Sequence, residues 1–247
     1  KEKRPFFIND MDIFETPIEI FYSRRIGENS SGIGMNVERD DTLYHMITIP
    51  TKINVAGKLT GKNKSGFSYG ILSALVTESD SSKWQNFYNP DTIEYTYRYP
   101  KQYLISRIKQ DFLLGNSSVG FMSTSSFADS AHTFSVDGMV NIFDNQISID
   151  GQMIITSDEH KGFYGSIGLY PPGYFSGWLD YYYYEKDIDI NELGYLWRDD
   201  YTQTKFGLKF QSFEPWSIIR NTSIILEGDM EKNTDELNLG KSIDIIY

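Results

Sequence analysis

The sequence predicts an all-β fold, an antiparallel up-and-down meander, and three observations carry that prediction. Hydrophobic residues alternate with period two over most of the chain, as pleated strands require. Turn residues punctuate the alternating runs. Helical periodicity is scarce. At 247 residues and 40% hydrophobic content there is ample material for one ordered sheet system. No fixed-period repeat or composition shift marks a second domain. Residues 1–247 are therefore expected to form one domain, with 1–16 as an amino-terminal lead-in.

The elements follow in chain order. From Thr51 to Thr60, Ile53, Val55, Gly57 and Leu59 fall on one face, and Lys52, Asn54, Ala56, Lys58 and Thr60 on the other. In Thr133–Ile142, Phe134, Val136, Gly138, Val140 and Ile142 oppose Thr133, Ser135, Asp137, Met139 and Asn141. In Gln146–Ile155, Ile147, Ile149, Gly151, Met153 and Ile155 oppose Gln146, Ser148, Asp150, Gln152 and Ile154. Looser alternation marks strands near 17–26, 66–77, 92–99, 102–113, 117–125, 162–170, 174–184, 203–213, 217–228 and 240–247. Asp144-Asn145 reads as a tight hairpin, and Pro171-Pro172-Gly173 as a break. Segments 27–46, 78–91 and 185–201 are polar and punctuated and read as loops.

Alternation alone suits both a soluble sandwich and a membrane barrel, which differ in what each face contains. Here the polar faces are rich in small groups: Ser68, Gly70 and Ala74; Gly120 and Thr124; Ser166 and Gly168. Aromatics gather near strand ends, as in Tyr181-Tyr182-Tyr183-Tyr184 and Phe163-Tyr164, which fits an interfacial girdle. The expectation is an outer-membrane-type β-barrel of about 12 strands, or part of a larger barrel. The bland reading is a soluble β protein with ordinary core and surface aromatics. No run approaches the roughly 18 apolar residues of a membrane helix, which says nothing against a barrel. A chain opening Lys1-Glu2-Lys3-Arg4-Pro5 reads as a processed or excised piece.

The net charge of −11 argues against nucleic-acid partners, whose phosphates are held by Lys and Arg. Zero cysteine removes disulfides, thiolate metal sites and cysteine nucleophiles. Many acids fall in the expected loops, at Asp40-Asp41, Glu78 to Asp80, Asp187 to Asp200 and Asp229 to Glu236.

Several stretches resemble a known family. Arg4-Pro5-Phe6-Phe7-Ile8, Ile20-Phe21-Tyr22-Ser23-Arg24-Arg25-Ile26-Gly27 and Ala56-Gly57-Lys58-Leu59-Thr60-Gly61-Lys62 are similar, in order, to blocks of an uncharacterised bacterial family of outer-membrane β-barrels. Further blocks at Arg107 to Asp111, Gly120 to Thr124, Asp137-Gly138 and Asn191 to Asp200 continue the match. Members of that family usually carry the barrel after a family-9-like carbohydrate-binding module. The resemblance implies a bacterial outer-membrane location and outer-membrane lipid as a partner. It also implies an upstream module absent from this chain, which would be the amino-terminal half of the barrel region. It brings no established chemistry.

No candidate catalytic centre emerges. Gly66-Phe67-Ser68-Tyr69-Gly70 spells a nucleophile elbow but sits within an alternating strand, with no helix behind it. Gly57-Lys58-Leu59-Thr60-Gly61-Lys62-Asn63 has the wrong spacing for a phosphate loop. His45, His132 and His160 show no paired spacing, so no metal site is expected of them. Asp187, Asp189 and Asn191 offer alternate oxygens of the kind Ca²⁺ takes, a candidate loop cation site, with a solvated acidic loop as the plainer reading. Asp199-Asp200 after Arg198 reads as a loop ion-pair cluster.

One constellation has a sharper reading. Arg24 and Arg25, as consecutive strand residues, would point to opposite faces, one of them into a lumen. Lys52, Lys58, Arg107, Asp137, Asp150 and Asp180 would join a lumen charge network that satisfies the barrel interior or tunes selectivity. The functional expectation is an outer-membrane channel, transport or display component linked to glycan handling. The alternatives are a soluble all-β carbohydrate-binding module or, less favoured, a hydrolase component.

Overall fold

A computed structural model describes residues 4–27, 36–39, 42–48, 52–78, 82–86, 93–96, 100–212 and 222–246, with side chains for 4–27, 53–76, 100–212 and 222–246. The chain is all-β. Its strands are β1 (Asn36–Arg39), β2 (Thr42–Thr48), β3 (Lys52–Lys62), β4 (Phe67–Glu78), β5 (Ser82–Asn86), β6 (Ile93–Thr96), β7 (Lys101–Phe112) and β8 (Ser117–Ser126). They continue as β9 (Ala131–Ile142), β10 (Ile147–Thr156), β11 (Lys161–Leu169), β12 (Phe175–Tyr184), β13 (Tyr201–Ser212), β14 (Thr222–Lys232) and β15 (Asn238–Ile246).

Eleven strands form one antiparallel sheet in the order β15-β14-β13-β12-β11-β10-β9-β8-β7-β4-β3. This is the expected meander, each strand lying beside its sequence neighbour except where β5 and β6 leave it. Among the described residues the sheet is open, with β3 and β15 as its edges. Strands β1, β2, β5 and β6 make a separate four-stranded sheet. Thr48 pairs with Ser82 and Lys52 with Glu78, so the β2–β5 ladder takes up the β3–β4 hairpin where that ends.

Three expectations need correction. Segments 27–46 and 78–91, read as loops, contain β1, β2 and β5, because their polar residues pair with one another. The described strands number fifteen rather than about 12. Residues 17–26 form no strand; Ser23–Arg25 is a 3₁₀ turn, and the alternation of Ile18 and Ile20 belongs to an extended segment outside any ladder. The tight turn at Asp144-Asn145 is present, with Phe143, Asp144 and Asn145 all at positive φ.

The core lies on one side of the large sheet. Phe7, Phe14, Ile18, Ile20, Phe21 and Ile26 of the lead-in pack with Ile188, Ile190, Leu193 and Leu196 of the segment between β12 and β13. Both sets rest on Leu72, Ala74, Val76, Tyr103, Ile105, Met122 and Ile154 of the sheet. Each buried Ile, Leu, Val, Phe or Met side chain among these contributes about 1.5–3 kcal/mol. The lead-in is thus longer than residues 1–16 and runs to Gly27 as an internal element.

Candidate functional site

The two faces of the large sheet differ in chemistry, and the covered face is the polar one. Adjacent partners on that face include Ser68 with Lys109, Gly70 with Arg107, Gly120 with Asp137 and Asp137 with Gln152. Farther along come Asp150 with Ser166, Ser166 with Asp180, and Asp180 with Lys205. The opposite, bare face carries Leu59, Ile71, Ile108, Phe121, Phe134 and Val136, all exposed. It continues through Ile149, Met153, Ile167, Leu179, Leu208, Ile243 and Ile245, also exposed. Among the described residues of the sheet, the charged positions on the bare face are Lys161, Lys232 and Lys241, toward the end that bears segment 185–200. Register shifts around Ile53 turn that side chain to the covered face, where it meets the core.

The lead-in is anchored to the covered face by polar as well as apolar contacts. Gln152, 2% exposed, accepts the Ile18 N–H and donates to the Ile18 carbonyl (3.2 Å) and to Ser135 Oγ (2.8 Å). Lys58 Nζ donates to the carbonyls of Phe6 (2.8 Å) and Asn9. Phe14 lies directly over Gly70, where a Cβ would stand 2.8 Å from its ring, so only glycine admits this approach. The Tyr22 N–H donates to Leu193 O (2.7 Å) and the Tyr195 N–H to Glu19 O (2.8 Å), tying lead-in to segment 185–200. Beside the lead-in, at the end of the sheet where β3 and β7 finish, lies a cavity of about 610 Å³ lined by Asp10, Asp12, Lys62, Lys109 and Asp111.

The predicted charge network is distributed as follows. Arg107 and Asp137 form a bidentate pair on the covered face, Nη1–Oδ1 2.6 Å and Nη2–Oδ2 2.8 Å, with side chains 3% and 11% exposed. Asp150 pairs in register with Ser166, and Asp180 lies beyond Ser166 on the same row. Lys58 binds lead-in carbonyls rather than a carboxylate. The side chain of Lys52 lies outside the described residues. Arg24 and Arg25 are not strand residues: on their 3₁₀ turn, Arg24 lies 5.8 Å from the Tyr22 ring, while Arg25 donates to Gly194 O (3.1 Å) and Asn191 Oδ1 (3.3 Å). The strand reading failed there because period-two burial also arises in an extended chain held by side chains and loops.

A second cluster had no sequence signal. Lys101 Nζ meets Glu192 (2.7 Å) and Asp129 (3.1 Å), joining β7, segment 185–200 and the β8–β9 turn. Burial pushes Asp129 up, but the Ser126 hydroxyl and the Lys101 ammonium outweigh it and hold the carboxyl below its ordinary range. At Glu192 burial prevails over Lys101, and Asp129 adds to it, so that carboxyl lies above its ordinary range.

The candidate cation residues shape the loop from within. Asp189 Oδ1 accepts the Asn191 N–H (2.8 Å), Asn191 Oδ1 accepts the Leu196 N–H (2.8 Å), and the Asp187 N–H donates to Asp199 (2.9 Å). Asp200 accepts the Thr234 N–H (2.9 Å). Among the described residues no group of three His, Asp or Glu is arranged to hold a metal. Segment 185–200 is a loop, as expected; Asp187 and Asp189 lie at its exposed surface, while Ile188 and Ile190, each 3% exposed, join the core.

A model of a domain of unknown function, DUF5916, matches residues 1–243. The chain belongs to the DUF5916 family. No curated protein and no solved structure matches it. Membership in DUF5916 accords with the resemblance to an uncharacterised family, and carries neither location nor activity with it.

Proposed function

We propose that this DUF5916 chain forms the wall of an outer-membrane-type β-barrel. Its polar covered face would line a lumen narrowed by the chain's own lead-in and segment 185–200. One observation carries the reading: the faces are reversed relative to a soluble sandwich. Acids and arginines of the large sheet's described strands lie on the covered face, and large apolar side chains fill the bare one. Exposed apolar patches of this extent are rare on soluble monomers. The turn tips agree: Leu114 is fully exposed and Phe143 is 69% exposed, both at positive φ, where bulky side chains are disfavoured. Phe112, Phe143, Tyr174 and Phe175 gather at that end as an interfacial girdle does. The turns 63–66, 113–116, 143–146 and 170–174 share this end, while the opposite end bears the long segment 185–200 beside the short turns 127–130 and 157–160, which favours a periplasmic position for the first end.

In this reading the protein acts in transport or display of polymers such as glycans at the bacterial outer membrane. Single cysteines in this cysteine-free chain test the embedding: Val136→Cys and Ile167→Cys on the bare face, Lys205→Cys on the other. Fluorophores on the first two are expected to be quenched by nitroxides on lipid chains in vesicles, and one at 205 is not. Equal quenching at all three positions would refute it.

A further inference from the structure

We infer that the covered face carries a binding strip for uncharged pyranose chains, built on Trp178 and Tyr170. The strip rests on the glycan reading proposed above and names its substrate class; binding at the covered face is tested separately from lipid embedding, which the cysteine quenching reads. Trp178 sits in register between Gly168 on β11 and Gly207 on β13. Those two glycines clear the wall beside it. The indole lies across Gly207, where a methyl group would collide with it, and the Tyr170 ring lies across Gly168 in the same way. Each ring therefore has one side against backbone and presents the other toward the covered-face space. Tyr170 is 48% exposed and Trp178 partly exposed, and neither belongs to the core cluster in which the lead-in packs.

The polar groups around the rings complete the chemistry. The next row toward segment 185–200 is Asp150, Ser166, Asp180, Lys205 and Asp229, and Glu227 follows Gly207 in the row of Trp178. Carboxylates accept hydroxyl protons and Lys205 donates to hydroxyl oxygens, while aromatic faces cover the C–H side of a sugar ring. A ligand dense in hydroxyls and apolar on its ring faces uses all of these groups. An anionic polymer meets a net acidic wall here. A polycation competes with Lys205, which stands in register between Asp180 and Asp229 and lies 5.8 Å from the Tyr182 ring.

The test is titration of the full chain, in detergent, with maltohexaose and cellohexaose, read by tryptophan fluorescence and calorimetry. Spermine and dextran sulfate serve as charged controls. Saturable binding of at least one hexaose is expected, with Kd raised about tenfold by Trp178→Ala, the loss of one stacking contact. Gly207→Ala keeps the indole but lifts it from its seat, and a weakening of similar size is expected. Circular dichroism confirms that both variants fold. Absence of binding to both hexaoses overturns the proposal. So does binding that ignores both substitutions, or tighter binding of spermine or dextran sulfate than of either hexaose.

Discussion

Gln152→Leu asks how firmly the lead-in is held. The substitution keeps side-chain volume and removes the amide that joins the sheet to Ile18 and Ser135. The Ile18 carbonyl keeps other donors, the Ile20 N–H (2.8 Å) and Thr16 Oγ1 (2.6 Å), so its loss is small. The Ile18 N–H has no such reserve in the structure and becomes a buried, unsatisfied donor at a residue 2% exposed, a cost of about 1–3 kcal/mol. Loss of the Ser135 bond adds about 1 kcal/mol. Together these come to about 3 kcal/mol, which raises the open population of the lead-in about a hundredfold. Limited trypsin digestion at Arg24-Arg25 reads that opening directly, and urea unfolding reads the whole fold. The variant is expected to be cut much faster than wild type, with Ser135→Ala intermediate. Wild-type cleavage rate and urea midpoint in Gln152→Leu would refute the anchoring role.

Three further predictions follow from the same geometry. Asp137→Asn leaves Arg107 buried without its bidentate partner and is expected to destabilise by about 3–5 kcal/mol in urea unfolding. Arg107→Met with Asp137→Leu together is expected to cost less than the sum of the single changes. Asp129 is held below its ordinary range, so its contribution is present at neutral pH and fades as pH falls through that lowered value. The gap in urea midpoint between wild type and Asp129→Asn should therefore narrow on acidification. Val136→Lys puts a charge in the middle of the bare face and is expected to cost about 2–4 kcal/mol when unfolding is measured in lipid vesicles.

The large sheet was readable because strands announce themselves by period two. Phe134 through Ile142 and Ile147 through Ile155 lie where their alternation puts them, with Asp137 and Asp150 on the covered face. The pairing of Arg107 with Asp137 needed the sheet order β7-β8-β9, which adjacency in sequence supplies. The lead-in was misread because Ile18 and Ile20 alternate like a strand while their backbone is satisfied by Gln152 and local turns. Segment 185–200 was read only by half: Asp187 and Asp189 are exposed, as their acidity suggests, with Asp189 also accepting the Asn191 N–H, while Ile188 and Ile190 turn the other way and fill the core. Lys101 gave no signal, because its partners Asp129 and Glu192 come from distant parts of the chain.

The most direct test of the reversed faces is the state of the refolded chain with and without detergent. The chain is diluted from urea into buffer or into detergent micelles, then examined by light scattering and by electrophoresis before and after heating. Aggregation in buffer, a monomer in micelles, and faster migration of the unheated sample are expected. A monodisperse, folded monomer in buffer without detergent would contradict embedding of the bare face in lipid.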